Sequence, residues 1–202
     1  MFGRGGKGCP VFFASGNAGS VFWNPFKVRY PARLPFCFAV GATRLFDDYR
    51  WYESCYGPEL DMVAPSFYEN EEGITPAVWC IDQMMNQGYN PTFMNNCPHA
   101  VVNDVDYNCN FGGTSAACPI VSGAASLLMS RDSTLNFQGY YYLLRYSAVT
   151  QFSWGSLPDT PNVEYGYGRV DAFRAILSIS RGDLNNDGAV ANILDVTFIT
   201  DD

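Results

Sequence analysis

Phe111-Gly112-Gly113-Thr114-Ser115-Ala116-Ala117-Cys118-Pro119 sets a serine behind two glycines and ahead of a run of tiny residues. Glycine lets the backbone turn tightly and lets another group approach closely. The residues that follow, Ala-Ala-Cys-Pro-Ile-Val-Ser-Gly-Ala-Ala-Ser-Leu-Leu-Met, predict a helix narrow enough to be buried between other elements. Ser115 then stands at the N-terminus of that helix, where unpaired backbone N–H groups and the helix dipole favour developing negative charge. A serine hydroxyl is a weak nucleophile until it is held rigidly and given a base. The stretch therefore places a helix and singles out a candidate nucleophile.

Outward from it, short apolar runs recur at residues 10–14, 36–40 and 60–63. Runs that are apolar at successive positions suit strands covered on both faces, as in a parallel sheet. Helical periods follow at residues 114–131, at 135–147 with Tyr140, Leu143 and Leu144 spaced for one face, and at 170–179. Buried strands alternating with helices predict an α/β fold with a doubly wound parallel sheet. Residues 66–110 show little periodicity. They read as a loop insertion with one strand near 78–81, and their aromatics and cysteines indicate packing rather than disorder.

At 202 residues the chain has room for one ordinary domain and a small appendage. Its formal charge of -8 and pI near 4.5 argue against nucleic acid as a partner. No apolar run reaches membrane-spanning length, and Met1-Phe2-Gly3-Arg4 is not a secretory leader. Seven cysteines are many for a reduced compartment. Cys55, Cys80, Cys97 and Cys109 lie in irregular segments and are expected in disulfides, with Cys118 as a free, small buried residue. A Cys/His metal site is disfavoured, because no Cys-x-x-Cys occurs and there is one histidine.

A boundary falls at Arg181-Gly182 and separates residues 1–180 from 181–202. Asp183, Asn185 and Asp187 carry oxygens at alternate positions, and Gly188 is sixth, which suits the tight wrap of a calcium loop. Leu194 stands where the closing carboxylate belongs, with Asp195 one residue later. Leu194, Val196 and Ile199 then begin an amphipathic helical pattern.

The Gly-Thr-Ser-Ala-Ala-Cys-Pro stretch resembles the nucleophile motif of the subtilisin-like serine endopeptidases (subtilases). Four further blocks are similar to the family and occur in its order. They are Gly3-Arg4-Gly5-Gly6-Lys7-Gly8 with Phe12-Phe13-Ala14-Ser15-Gly16-Asn17, then Phe38-Ala39-Val40-Gly41-Ala42-Thr43, Leu60-Asp61-Met62-Val63-Ala64-Pro65-Ser66 and Tyr165-Gly166-Tyr167-Gly168-Arg169-Val170-Asp171-Ala172. The resemblance implies that residues 1–180 are the C-terminal portion of a subtilisin-like doubly wound sheet, and that the activity is peptide-bond hydrolysis by acyl transfer. It implies Ser115 as nucleophile, Asn17 as the side-chain donor of the oxyanion hole, and Ala14, Ser15 and Gly16 as one wall of the pocket for the side chain preceding the scissile bond. Residues 181–202 resemble the first repeat of a dockerin, a short EF-hand-like segment. That implies calcium at Asp183, Asn185, Asp187 and Asp195, a cohesin partner and a secreted full-length protein.

The family's histidine and aspartate precede the oxyanion asparagine. Sixteen residues precede Asn17 here, and neither an Asp-Ser-Gly nor a His-Gly-Thr turn is among them. The one histidine, His99, lies in the irregular insertion near Asp104 and Asp106 and reads as a loop residue rather than a base. Loss of the base costs about 10⁶ in turnover in the family's type enzyme, so these 202 residues alone are expected to be nearly inactive. The strand before Asn17 is expected to expose an edge that pairs elsewhere in the family. The alternative is a catalytically dead chain that binds through the old cleft or the dockerin-like tail. An intact Ser115 and Asn17 favour the enzyme.

Overall fold

The computed structural model describes residues 3–17, 27–70, 73–76, 78–89, 105–150 and 161–181. Its centre is a four-stranded sheet in the order β1 (Phe12–Ala14), β2 (Phe38–Arg44), β3 (Met62–Asn70), β4 (Gly73–Pro76). The first three strands run parallel, with Phe12 opposite Phe38 and Val40 opposite Met62; β4 turns back antiparallel on β3. A separate antiparallel ribbon pairs β5 (Val78–Ile81) with β6 (Tyr107–Phe111). Three helices follow: α1 (Thr114–Arg131), α2 (Phe137–Tyr146) and α3 (Ala172–Arg181).

The side-chain period of two decides what each strand does. Phe38, Val40 and Ala42 point to one face with Met62 and Ala64, joined by Phe67 after a register shift that skips Ser66, and there they meet Ala117, Val121, Ala125 and Leu128 of α1, Tyr140, Leu143 and Leu144 of α2, and Ala175 of α3. Ala39 and Val63 point to the other face and pack with Val28, Ala32, Leu60 and Tyr165. Every β2 residue from Phe38 to Thr43 is buried, as its unbroken apolar run requires, whereas β1 is half-buried throughout. β1 is the last strand on its side of the sheet.

The helix after Ser115 spans the expected residues, and one stripe of it is buried rather than its whole surface. Thr114, Ala117, Val121, Ala124, Ala125 and Leu128 repeat every three to four residues against the sheet. The alanines let the helix lie close over β1, β2 and β3. The opposite stripe, with Pro119, Gly123, Ser126 and Leu127, is exposed.

The insertion is more regular than its sequence suggests. β3 continues to Asn70, and β4, β5 and β6 all fall within or beside residues 66–110 where one strand was expected. Cross-strand pairing, which a single-sequence pattern does not reveal, supplies the order. Cys109 is disulfide-bonded. Cys55 and Cys80, expected in bridges, are free: Cys55 is buried beneath Ser15 and Gly16, and the Cys80 thiol faces the Asn108 carbonyl.

One buried carboxylate joins the layers. Asp61, just before β3, accepts the Ala39 N–H of β2 at 2.8 Å and the Tyr141 hydroxyl of α2 at 2.7 Å, and it pairs with Arg145 of α2. The Arg145 guanidinium lies between the Tyr141 ring (3.4 Å) and the Tyr167 ring (4.3 Å). Burial pushes the Asp61 carboxyl up to about 6, against the opposing pull of Arg145 and the Ala39 N–H. Desolvation thus outweighs attraction in the intact pair. The sign follows: a carboxyl raised in the folded state favours folding most below about pH 4, and that contribution is lost as the pH rises through about 6. Removing the arginine is costly wherever Asp61 is ionised. We expect Arg145→Met to lower unfolding free energy by about 3 kcal/mol at pH 8 and by clearly less at pH 5, measured by urea denaturation. Equal losses at both values would contradict this account of the pair.

Candidate functional site

Ser115 is the second residue of α1, and the chain enters that helix through Gly113 at φ 75°. A positive φ is a glycine conformation, and space demands it too, since a Cβ on Gly113 would lie 2.9 Å from Asn17 Nδ2. β1 ends at Ala14, and Asn17, three residues on, bridges to Ser54. The two segments meet at Thr114. Its backbone N–H donates to Asn17 Oδ1 at 3.1 Å and its hydroxyl donates to the same oxygen at 2.8 Å. The Gly16 N–H donates to the Thr114 hydroxyl oxygen at 3.3 Å. Thr114 is fully buried whereas Asn17 is exposed, so these bonds are half-buried, where the helix start meets the surface.

This arrangement decides what is left over. With its oxygen committed twice, the Asn17 amide has one orientation, and its NH₂ finds no acceptor among the described residues. Ala116 and Ala117 N–H both turn back to the Gly113 carbonyl, at 3.1 and 3.2 Å, whereas the Ser115 N–H has no partner among the described residues. Pro119 has no N–H to return to the Ser115 carbonyl. Two uncommitted N–H donors, one main-chain and one side-chain, therefore flank an exposed serine. Groups so placed can stabilise an oxyanion that forms on a carbonyl attacked by the serine.

Ser115 borders an open groove of about 460 Å³ with Phe12, Phe13 and Ala14 on one bank and Cys118, Pro119 and Ser122 on the other. Burial pushes the Cys118 thiol up, away from the reactive thiolate. Ala14 is half-buried on β1, while Ser15 is buried with its hydroxyl donating to the Cys55 carbonyl at 2.9 Å. Gly16 sits at φ 107° with its backbone bonded to Cys55 and Thr114.

Other expected residues are not brought here. Asp106 is held in the ribbon, accepting the Met85 N–H at 2.6 Å. His99, Asp104, and the loop residues Asp183, Asn185, Asp187 and Asp195 lie outside the described residues. No group of three metal-ligating side chains occurs among the described residues, and no described helix is long and apolar enough to cross a membrane. The sequence reading passed over Thr114, although its place beside the serine in a buried helix start was a visible signal. It also passed over Arg29, whose backbone N–H donates to the Ser15 carbonyl at 2.8 Å.

Comparison with known proteins follows the same residues. Residues 2–168 match the Subtilase family (Peptidase_S8). A "Calcium-dependent protease" of Nostoc sp. is 31% identical over 176 residues, covering 86% of this chain and 25% of that protein. "Bacillopeptidase F" of Bacillus subtilis is 27% identical over 182 residues, covering 90% of this chain and 11% of that protein. The chain thus spans a quarter or less of these relatives. The serine protease of Aeromonas sobria shares the fold, with a TM-score of 0.70 at 21% identity over 86% of this chain and 37% of that one.

The bonds at Thr114 separate two roles of Asn17. Asn17→Ala strands a buried N–H and hydroxyl and is expected to cost about 1–3 kcal/mol. Asn17→Asp keeps the accepting oxygen and is expected to cost under about 0.5 kcal/mol, since a carboxylate suits a helix N-terminus. Chemical denaturation of both variants checks this; equal destabilisation would mean that the Thr114 bonds contribute nothing.

Proposed function

Because the chain belongs to the Subtilase family, we propose that it carries the nucleophile and oxyanion hole of a serine endopeptidase acting on protein or peptide substrates. The Ser115 hydroxyl attacks the substrate carbonyl. The Ser115 N–H and the Asn17 NH₂ receive the oxyanion, and Ala14, Ser15 and Gly16 flank the side chain preceding the scissile bond. The observation that carries this reading is the pair of uncommitted N–H donors beside an exposed serine. Donors already fixed in place need no reorganisation as charge develops, which is where such sites gain rate.

Proton transfer needs a base within hydrogen-bond reach of the hydroxyl. Neither family motif for the histidine or its aspartate occurs in the sequence. We therefore assign the base to polypeptide beyond these 202 residues, entering along the groove between β1 and α1. An extracellular setting is supported by disulfide-bonded Cys109. For residues 181–202 we propose a calcium loop formed by Asp183, Asn185, Asp187 and Asp195, presenting a dockerin-like surface to a cohesin. Its support is the oxygen spacing with Gly188 sixth.

Two measurements test these readings. A fluorophosphonate applied to the full-length protein is expected to modify Ser115, located by peptide mass spectrometry. Asn17→Asp should slow labelling by at least about 10², and the 202-residue chain alone should label only when the histidine-bearing part is added. Labelling of the isolated chain that disappears in His99→Ala would overturn the assignment of the base. For the tail, titration calorimetry should show calcium binding that is lost in Asp187→Ala. No heat at millimolar calcium would remove the proposed ligand set.

A further inference from the structure

The segment that runs beside Ala14-Ser15-Gly16 is Lys27-Val28-Arg29, continuing to Arg33. Val28 is 2% exposed in the core on the second face of the sheet, which turns its neighbours Lys27 and Arg29 outward. The Arg29 N–H donates to the Ser15 carbonyl, so this residue is fixed alongside the wall by its backbone whatever its side chain. Its side chain then lies across Gly16. A Cβ on Gly16 would stand 2.5 Å from Arg29 Cγ and 3.2 Å from Arg29 Cβ, so the aliphatic stem occupies the space that only a glycine leaves free. Gly16 is in turn bonded to Thr114, the residue before Ser115. The arginine is thus one backbone layer from the helix start that carries the serine.

Its charge is conspicuous in this chain. Arg44, Arg50, Arg145, Arg169 and Arg174 each meet a carboxylate, and Arg4 is spent on three backbone carbonyls and the Tyr140 hydroxyl. The Arg29 side chain has neither a carboxylate nor a hydrogen-bonding partner among the described residues, and the same holds for the Lys27 side chain. Lys27 and Arg29, two residues apart and both exposed, stand out in a protein of formal charge -8, whereas Arg33 lines a separate cavity with Glu59 and Asp61. The two make the chain beside the pocket wall locally positive where the rest of the molecule is acidic. A guanidinium keeps its charge at every working pH and offers a planar set of donors matched to a carboxylate.

We propose that Arg29 selects an acidic side chain, glutamate above all, at the substrate position immediately before the scissile bond. The inference rests on the reading of Ser115 as the nucleophile and of Ala14-Ser15-Gly16 as the wall of that pocket. The substrate carboxylate takes the partner that Arg29 lacks within the protein, through a charge-assisted, two-point contact.

Product-like peptides test this without catalysis. Fluorescent tetrapeptides that differ only in a C-terminal Glu, Gln or Lys are titrated against the full-length protein by anisotropy. Glu is expected to bind about tenfold or more tightly than its neutral isostere Gln, as for one hydrogen bond to a charged group, with Lys weakest. Arg29→Met keeps the stem over Gly16 and should abolish the difference between Glu and Gln. Arg29→Lys should retain part of it, and Arg29→Glu should reverse the order to favour Lys. Equal binding of Glu and Gln, or a preference that survives in Arg29→Met, overturns the proposal. Because binding needs no reaction, a failed fluorophosphonate assay with intact Glu preference refutes the catalytic reading and leaves the pocket assignment standing.

Discussion

A single buried threonine holds the site together. Thr114 gives both its backbone N–H and its hydroxyl to one oxygen of Asn17, across 97 residues of sequence, and accepts the Gly16 N–H in return. These bonds fasten the end of β1 to the start of α1. Everything around them is shaped to permit the contact: Gly113 at positive φ and without a Cβ, Gly16 bare beneath the Arg29 stem, and alanines along α1 that let it approach the parallel sheet. This cluster, whose buried member is Thr114, is stable only when its inward-facing polar groups are satisfied. The two groups that stay unsatisfied, the Ser115 N–H and the Asn17 NH₂, lie at its accessible rim.

The same economy explains why the pocket wall is electrostatically uneven. Where arginines serve the fold they are compensated, as Arg145 is by Asp61 between two tyrosine rings. The Lys27 and Arg29 side chains have no such compensation among the described residues, and both residues are exposed rather than in the core. The edge of β1 and the exposed stripe of α1 form the other open side of the site, with Phe12 and Phe13 on one bank and Ser115 among small side chains on the other.

Much of this was legible in the residues themselves. α1 could be read to both its ends, because two glycines mark its entry and a three-to-four period of small apolar residues marks its buried stripe. Ser115 stood out by its local setting, and Asn17 through the family resemblance of its segment. Thr114's bonds did not, because they depend on a contact between distant segments. The Asp61–Arg145 pair joins a strand entrance to a helix 84 residues on and leaves no local pattern. β4, Gly-Ile-Thr-Pro, is too short and too rich in Gly and Pro to read as a strand, whereas β6, Tyr-Asn-Cys-Asn-Phe, does alternate apolar and polar residues and was passed over; their pairing comes from the partners β3 and β5. Cys55 looked like a bridge-forming loop residue, yet its thiol is buried and its backbone groups bond to Ser15 and Gly16.

The central claim is that Asn17 and the Ser115 N–H are aimed at one developing oxyanion. A crystal structure of the phosphonylated full-length protein measures it directly. The phosphonyl oxygen should lie about 2.7–3.1 Å from both Asn17 Nδ2 and the Ser115 nitrogen, with the two Thr114 bonds to Asn17 Oδ1 unchanged. An adduct whose oxygen points to solvent, or an Asn17 amide turned away from Thr114, would contradict it.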